Sequence, residues 1–431
     1  MLITNARIEQ APVSVRVGAN VEAIGHLDAS AHEPVYDAKG AWLLPGLHDH
    51  HIHLRALAAR RSSVDLSHAV LNGLDAHLKA VPGTGWIRGF GYHADRLGEL
   101  TRWQLDDLVS DRPLRIQHSS GKMWVVNSAA VEAFGITADS HEGVEVVNGA
   151  VTGRLFRMDD WLRARTPLDK PDLMPVIDEL VSYGITSVTD ASYTNDAEAE
   201  NELTTLRHRS GARFGVRCMG NETLNLGGQL KIMLDEDRLP DLDALQTRVA
   251  QAHGQDRGVA FHCVSRTEML VAMHCLEAVG THADDRIEHG ALIGADMIDG
   301  LAQLAVPVVT QPGFLADRGE RFRRELAPAQ VADLYRYRSL LDADIEVICS
   351  SDGPYGPVDP WVCMAAARRR LTDVEAEISP AERVSEIEAL SGYLLGDDLR
   401  RVRRVEIGEP ANLVLVRNSR PVAVWLGGSR V

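Results

Sequence analysis

Cysteine is scarce in this chain and shows no paired pattern: Cys218, Cys263, Cys275, Cys349 and Cys363 are odd in number and scattered without a CxxC spacing. That fits reduced thiols better than a disulfide framework, so a cytoplasmic location is expected. Positive charge is also short, with 45 Lys and Arg against 61 Asp and Glu and a net charge of −16. Such a balance repels phosphate backbones and anionic lipid, so neither nucleic acid nor a membrane is an expected partner. No apolar run reaches the roughly 18 residues a membrane span needs. The opening MLITNARIEQ lacks a basic start followed by an apolar stretch, so no secretion or anchoring signal is read.

What is present is ordinary for a folded globular protein: 45% apolar and 25% charged residues over 431 positions. That length suits either two or three domains or one large barrel with attachments. The 17 histidines are the unusual component, because imidazole is the commonest metal ligand and a proton carrier near neutral pH.

Residues 1–45 alternate short apolar runs with Gly, Asn and Asp, and the closing ANLVLVRNSRPVAVWLGGSRV reads the same way. Both ends, 1–45 and 400–431, are therefore expected to build one small β-sandwich around a middle unit, 46–399. In the middle, eight runs alternate with longer segments, several of helical spacing: WLLPGLHDHHIH, GITSVTDAS, RFGVRCMG, QLKIML, GVAFHCV, DRIEHGAL, VPVVTQPG and IEVICSSDGP. Eight βα units predict an α/β fold, a (β/α)8 TIM barrel. The gap after the first run exceeds one crossover helix, so about 80–165 is read as an insertion on the loop side of the barrel.

His51 and His53 are two apart at the end of the first run, and in a strand such residues share a face, so both imidazoles can bind one cation. Lys231, His262, His289 and Asp352 fall at the ends of four other runs. A single such residue is more often a satisfied core group than a ligand. Six convergent groups from five strands, at the face where barrels keep their active sites, favour a site. Cys263 follows His262 directly and so points to the opposite face, as a buried structural thiol. His93, His118, His274 and His282 are read as surface or packing residues.

The segments LLPGLHDHHIH, FHCVSR, RIEHG and SSDGP resemble the amidohydrolase superfamily of metal-dependent hydrolases. WIRGFGYHADR, DRPLRIQHSSGKMWVVNSAAV, GAVTGRL and QPGFLADRGERF are similar to the branch that includes N-substituted formamide deformylases, amidohydrolase family 3, and IGEPANLVLV resembles its closing segment. The resemblance implies that His51, His53, His262 and His289 bind one or two divalent ions, zinc foremost, with Asp352 as ligand and proton shuttle. Lys231 falls where related enzymes place a carboxylated lysine. Burial beside cations favours the neutral amine that must take up carbon dioxide. The alternative for Lys231 is an ordinary cation paired with an acid such as Asp190.

A divalent ion lowers the pKa of its water and polarises a carbonyl, while Asp352 takes the proton and returns it to the leaving nitrogen. The expected activity is hydrolysis of a non-peptide C–N bond, in a linear or cyclic amide of a small molecule. Lys122 stands where that branch usually has histidine. With Trp124, Arg154 and Arg318 it is taken to bind substrate, an ammonium or guanidinium suiting a carboxylate. Arg318 could instead pair with Asp317 or Glu320. Two other readings are a deaminase on the same scaffold and a catalytically silent binding or assembly relative. A homo-oligomer is expected, the dimer being the commonest kind.

Overall fold

The computed structural model describes residues 1–9, 11–67, 69, 73–165, 171–224 and 227–431. It divides into two compact units, one made of Met1–Leu54 with Met174–Val431 and the other of Arg55–Leu173. The second unit begins earlier and ends later than the 80–165 segment marked out by sequence. One reason is that the short strand Val64–Asp65 pairs with Ile87–Tyr92 and so joins that unit's sheet.

Each of the eight runs carries a strand of the first unit: β1 Leu47–Ile52, β2 Ile185–Asp190, β3 Gly215–Cys218, β4 Leu230–Met233, β5 Val259–Cys263, β6 Arg286–His289, β7 Val308–Thr310 and β8 Val347–Cys349. All their pairings are parallel, in a three-stranded run β3-β2-β1 and a five-stranded run β4-β5-β6-β7-β8. Single parallel bridges, Gly220 to Leu230 and Ile52 to Gly353, link the two runs at both ends. Strands buried on both faces read as continuous apolar runs, which is why Val308–Thr310 and Val347–Cys349 lack alternation.

Helices connect most of these strands, and their ends are written in the sequence. Arg266–Val279, between β5 and β6, opens on a capping box of Ser265 and Glu268 and ends at Gly280, whose φ is 88°. It buries Met269, Ala272, Met273, Cys275 and Leu276, the three-and-four spacing of one helical face. Between β3 and β4 the described residues hold no helix, contrary to the repeating βα pattern. That connection, MGNETLNLGGQ, is polar, contains three glycines and is shorter than the roughly dozen residues of an ordinary parallel crossover.

The terminal strands hydrogen-bond in one eight-stranded sheet. Trp42–Pro45 pairs antiparallel with Leu413–Arg417, setting Leu43 against Leu415 and so tying the chain's two ends together. Its core holds Ile3, Val15, Leu43, Leu413, Leu415 and the fully buried Trp425, with Tyr36 edge-on at 5.2 Å.

In the second unit six strands form a separate sheet in the order Val144–Val147, Ala150–Phe156, Met123–Val126, Leu114–His118, Ile87–Tyr92, Val64–Asp65. Alternation in Met123–Val126 sends Val125 to one apolar cluster and Trp124 and Val126 to another. Among the described residues no helix is long and apolar enough to cross a membrane.

Candidate metal centre

Asp49 and His51 lie in β1 and His53 just beyond it, Lys231 in β4, His262 in β5, His289 at the end of β6 and Asp352 after β8. Alternation turns Asp49, His51 and His53 to one face and His48 and His50 to the other. His48 is spent there, bonded through its two ring nitrogens to Ser187 at 2.8 Å and Thr189 at 2.9 Å. Backbone bonds stitch β1 to the segment after β8: Asp352 N–H donates to the His51 carbonyl at 2.8 Å and His53 N–H to that of Gly353 at 2.7 Å. The carboxylate of Asp352 is thereby brought among imidazoles far away in sequence.

Asp352 Oδ1 is 3.2 Å from His53 Nε2 and 3.5 Å from His51 Nε2, and its Oδ2 is 3.8 Å from His289 Nδ1. One donor atom from each of His51, His289 and Asp352 lies within 4.8 Å of the others, a metal-sized set. His53 and His262 stand beside that trio: His53 reaches Asp352, and the His262 ring is centred 4.5 Å from that of His289. Lys231 is buried with its ammonium nitrogen 3.9 Å from Glu288 Oε2.

Asp190 does not take the role of partner to Lys231. Its carboxylate accepts from Leu54 N–H at 2.8 Å, Ser192 N–H at 3.1 Å and the Asn195 amide at 2.9 Å.

Two of these residues adopt left-handed backbone, His289 at φ 71° and Asp352 at φ 53°. Such conformations cost of order 1–2 kcal/mol for a residue with a Cβ and cluster where function requires them. At His289 the consequence is visible. Register places Glu288 opposite His262, so both point inward, and the left-handed turn at His289 and Gly290 lets the next side chain reach the same site.

Burial sets the electrostatics. It lowers the pKa of His51 to about 4 and that of His289 to about 3, with Lys231 adding to both, and it takes His262 well below its ordinary value. These imidazoles are neutral at pH 7, as metal ligation needs. Burial lowers Lys231 to about 8, against the pull of Glu288. For Asp352 burial acts upward, but His53, His51 and His289 outweigh it and hold the carboxyl below the usual range.

His51 Nε2, Asp352 Oδ1, Lys231 Nζ and Asp49 Oδ2 are all buried without a well-formed hydrogen bond. Each such atom costs about 1–3 kcal/mol. Lone pairs on nitrogen and carboxylate oxygen, converging and unsatisfied, fit a bound cation.

The four residues taken to bind substrate fare differently. Arg318 donates through Nη2 to the Tyr355 carbonyl at 2.6 Å, lies 3.3 Å from Asp317 and stacks its guanidinium 4.6 Å over Phe314. The Asp317 pairing foreseen as its alternative is present, while Glu320 takes Arg323 instead, at 3.0 Å. In the second unit Lys122 is exposed, and Arg154 meets Glu99 at 2.5 Å and donates to the Leu100 carbonyl at 2.8 Å. Trp124 is only 5% exposed, packed in an apolar core with its indole N–H given to Asp159 at 2.8 Å. This corrects the expectation for Trp124: it is a packing residue, because alternation sends it inward.

Sequence reasoning missed Glu288, Arg286, Gln311 and Ser192. Glu288 accepts from His51 Nδ1 and from Arg286 Nε, Gln311 Oε1 accepts from His289 Nδ1 at 2.8 Å, and Ser192 Oγ contacts His53 Nδ1 at 2.9 Å. All four lie within runs already singled out as strands. Strict alternation from His289 assigns Glu288 to the wrong face.

A mixed α/β scaffold thus gathers neutral histidines and a carboxylate at its parallel strand ends, a set of donor atoms of the size that could hold a metal ion. Residues 34–423 match the amidohydrolase family, and the chain belongs to it. Membership makes it a metal-dependent hydrolase of carbon–nitrogen bonds. The chain is similar to an N-substituted formamide deformylase of Arthrobacter pascens, 26% identical over 93% of this chain and 87% of that one. Its fold is shared with two structures described as uncharacterized metal-dependent hydrolases. That from Pyrococcus furiosus has a TM-score of 0.76 at 21% identity, covering 97% of this chain and 99% of the other. That from Pyrococcus horikoshii has a TM-score of 0.77 at 20% identity, covering 100% and 99%.

Proposed function

We propose that this chain hydrolyses a linear or cyclic amide of a small molecule at one or two divalent ions, zinc foremost, on eight strands closed as a (β/α)8 barrel beside a small terminal β-sandwich. The observation that carries this reading is the set of His51, His289 and Asp352 donor atoms within 4.8 Å of one another. The unpartnered His51 Nε2 and Asp352 Oδ1 support it. His53 and His262 complete the ligands, and Lys231, whose amine burial brings to about 8, is positioned to carry a carbamate. A divalent ion bound there supplies Lewis acidity toward water and the scissile carbonyl.

Asp352 accepts the proton lost by the attacking water and returns it to the leaving nitrogen, one group serving as base and then acid. Lys122 is proposed to meet a substrate carboxylate, its ammonium supplying a compact positive charge. A cytoplasmic location is supported by five buried cysteines, none of them in a disulfide, and a homo-oligomer is expected.

Glu288, 3.9 Å from the Lys231 nitrogen, favours a second reading, in which a paired ammonium leaves a single-metal deaminase. Metal analysis of protein purified without chelators tests both: two ions per chain support the carbamate, one supports the deaminase. No stoichiometric transition metal, with no activity on adding zinc, manganese, cobalt or iron, overturns the assignment of the site.

A further inference from the structure

Two residues of the RIEHG segment to which the metal reading gives no task stand directly behind His51. Arg286 and Glu288 are fully buried. Arg286 donates through Nε to Glu288 Oε1 and through Nη2 to the His50 carbonyl at 2.6 Å, while Glu288 Oε2 meets His51 Nδ1. A guanidinium can only donate, and the carboxylate it pairs with, being ionised, can only accept. The proton between Glu288 and His51 therefore belongs to Nδ1. That leaves Nε2 bare, 3.5 Å from Asp352 Oδ1 and without a hydrogen-bond partner.

We infer that Glu288, fixed by Arg286, is a positioning residue that locks His51 into its Nδ1–H tautomer, so that Nε2 is the nitrogen left to ligate. The inference rests on the proposal above that His51 holds metal. An uncharged version of the same device serves His289. The Gln311 amide nitrogen donates to the Val309 carbonyl at 3.1 Å and to Ser350 Oγ at 3.0 Å, which turns Oε1 toward His289 Nδ1 at 2.8 Å. Both rings are thus held by an acceptor behind Nδ1, contributed by strand β6 in one case and by the segment following β7 in the other. A carboxylate in this position also raises the basicity of the ligating nitrogen.

The test uses Glu288→Gln in the full-length protein. Arg286 still demands an acceptor and takes the new amide oxygen, so the amide NH2 faces His51 and the imidazole proton moves to Nε2. Zinc affinity, read by competition with a chromophoric chelator, is expected to fall about 10- to 100-fold. The 15N spectrum of the metal-free protein, with His51 assigned by the signal lost in His51→Asn, should show Nδ1–H in wild type and Nε2–H in Glu288→Gln. Adding Arg286→Met frees the amide oxygen for His51 and should recover the Nδ1–H tautomer and most of the affinity.

An Nε2–H tautomer in wild type overturns the inference even if the variants fail to fold. Unchanged zinc affinity in Glu288→Gln overturns it alone, and so does a loss of affinity with no tautomer change and no rescue. Failure of wild type to bind zinc or any other divalent ion overturns the functional reading together with it.

Discussion

The first unit buries two clusters of charge, and they are built on opposite terms. Around Glu382, 3% exposed, every acceptor is filled: Oε1 takes Arg336 at 2.8 Å and the Ser339 hydroxyl, and Oε2 takes the N–H groups of Tyr337 at 3.0 Å and Ser339 at 2.9 Å. Arg370 nearby is buried and spends its guanidinium on the carbonyls of Ile378, Tyr335 and Leu334. At the strand ends, equally buried atoms of Asp49, His51, Lys231 and Asp352 lack such partners. Satisfied buried charge holds a fold together, whereas unsatisfied buried charge is kept where a ligand or reacting group completes it. The comparison separates residues that should govern stability from residues that should govern turnover.

The largest expected effect lies in the unsatisfied cluster. Asp352→Asn keeps the shape of the side chain but cannot take up a proton, so kcat should fall by about three orders of magnitude or more, as when a general base and acid are lost together. Melting temperature and bound metal should stay near wild type. A variant keeping more than a tenth of wild-type turnover would remove Asp352 from proton transfer.

Next is the satisfied cluster, where the signs reverse. Glu382→Ala strips four hydrogen bonds and leaves Arg336 without its buried carboxylate, and should cost about 3 kcal/mol of stability by urea unfolding. The kcat of the folded fraction should not change. A fall in kcat without loss of stability would break the comparison.

A smaller effect is the pH dependence of that same carboxyl. Burial pushes Glu382 upward, but the Ser339 and Tyr337 hydrogen bonds and Arg336 outweigh it, so its folded pKa lies below the ordinary 4.5. A depressed acid contributes fully above its unfolded pKa and loses that contribution as pH falls through the folded value. The stability gap between wild type and Glu382→Ala should therefore narrow below about pH 4.5, and a gap that widens on acidification would contradict the assignment.

Why the site was half legible in sequence follows from the same physics. The strands were readable because stretches such as GVAF and VPVV are continuous and apolar, and the candidate ligands drew attention because His or Asp at such ends is costly without a purpose. Glu288 was hidden by backbone conformation: strict alternation turns it away from His289, and only the left-handed φ at His289 brings both inward. Gln311 was hidden because a glutamine gains meaning from what its amide touches. The surroundings of Trp124 and Arg318 were hidden for a related reason. A residue type advertises what it can bind, but the core around Trp124 and the Tyr355 carbonyl held by Arg318 exist only in the folded chain.

The smallest expected effect concerns Lys122 and extends the comparison to cations. Arg318, tied to a carbonyl and stacked on Phe314, should matter for the turn it holds rather than for substrate charge. Tyr355, on that turn, donates its backbone N–H to the Asp352 carbonyl at 2.7 Å, so slackening the turn disturbs the reacting carboxylate whichever substrate is present. Arg318→Met is therefore expected to lower kcat for charged and neutral substrates by the same factor. Lys122, exposed on the second unit, should instead discriminate between matched amides with and without a carboxylate. An exposed charge pair contributes little in water, so Lys122→Met should lower kcat/KM for the carboxylate-bearing member by about threefold and leave its neutral partner unchanged. Steady-state kinetics on such pairs decides the matter. If Arg318→Met shows the charge discrimination and Lys122→Met does not, the cation that reads the substrate is the one the fold had seemed to spend on its own backbone.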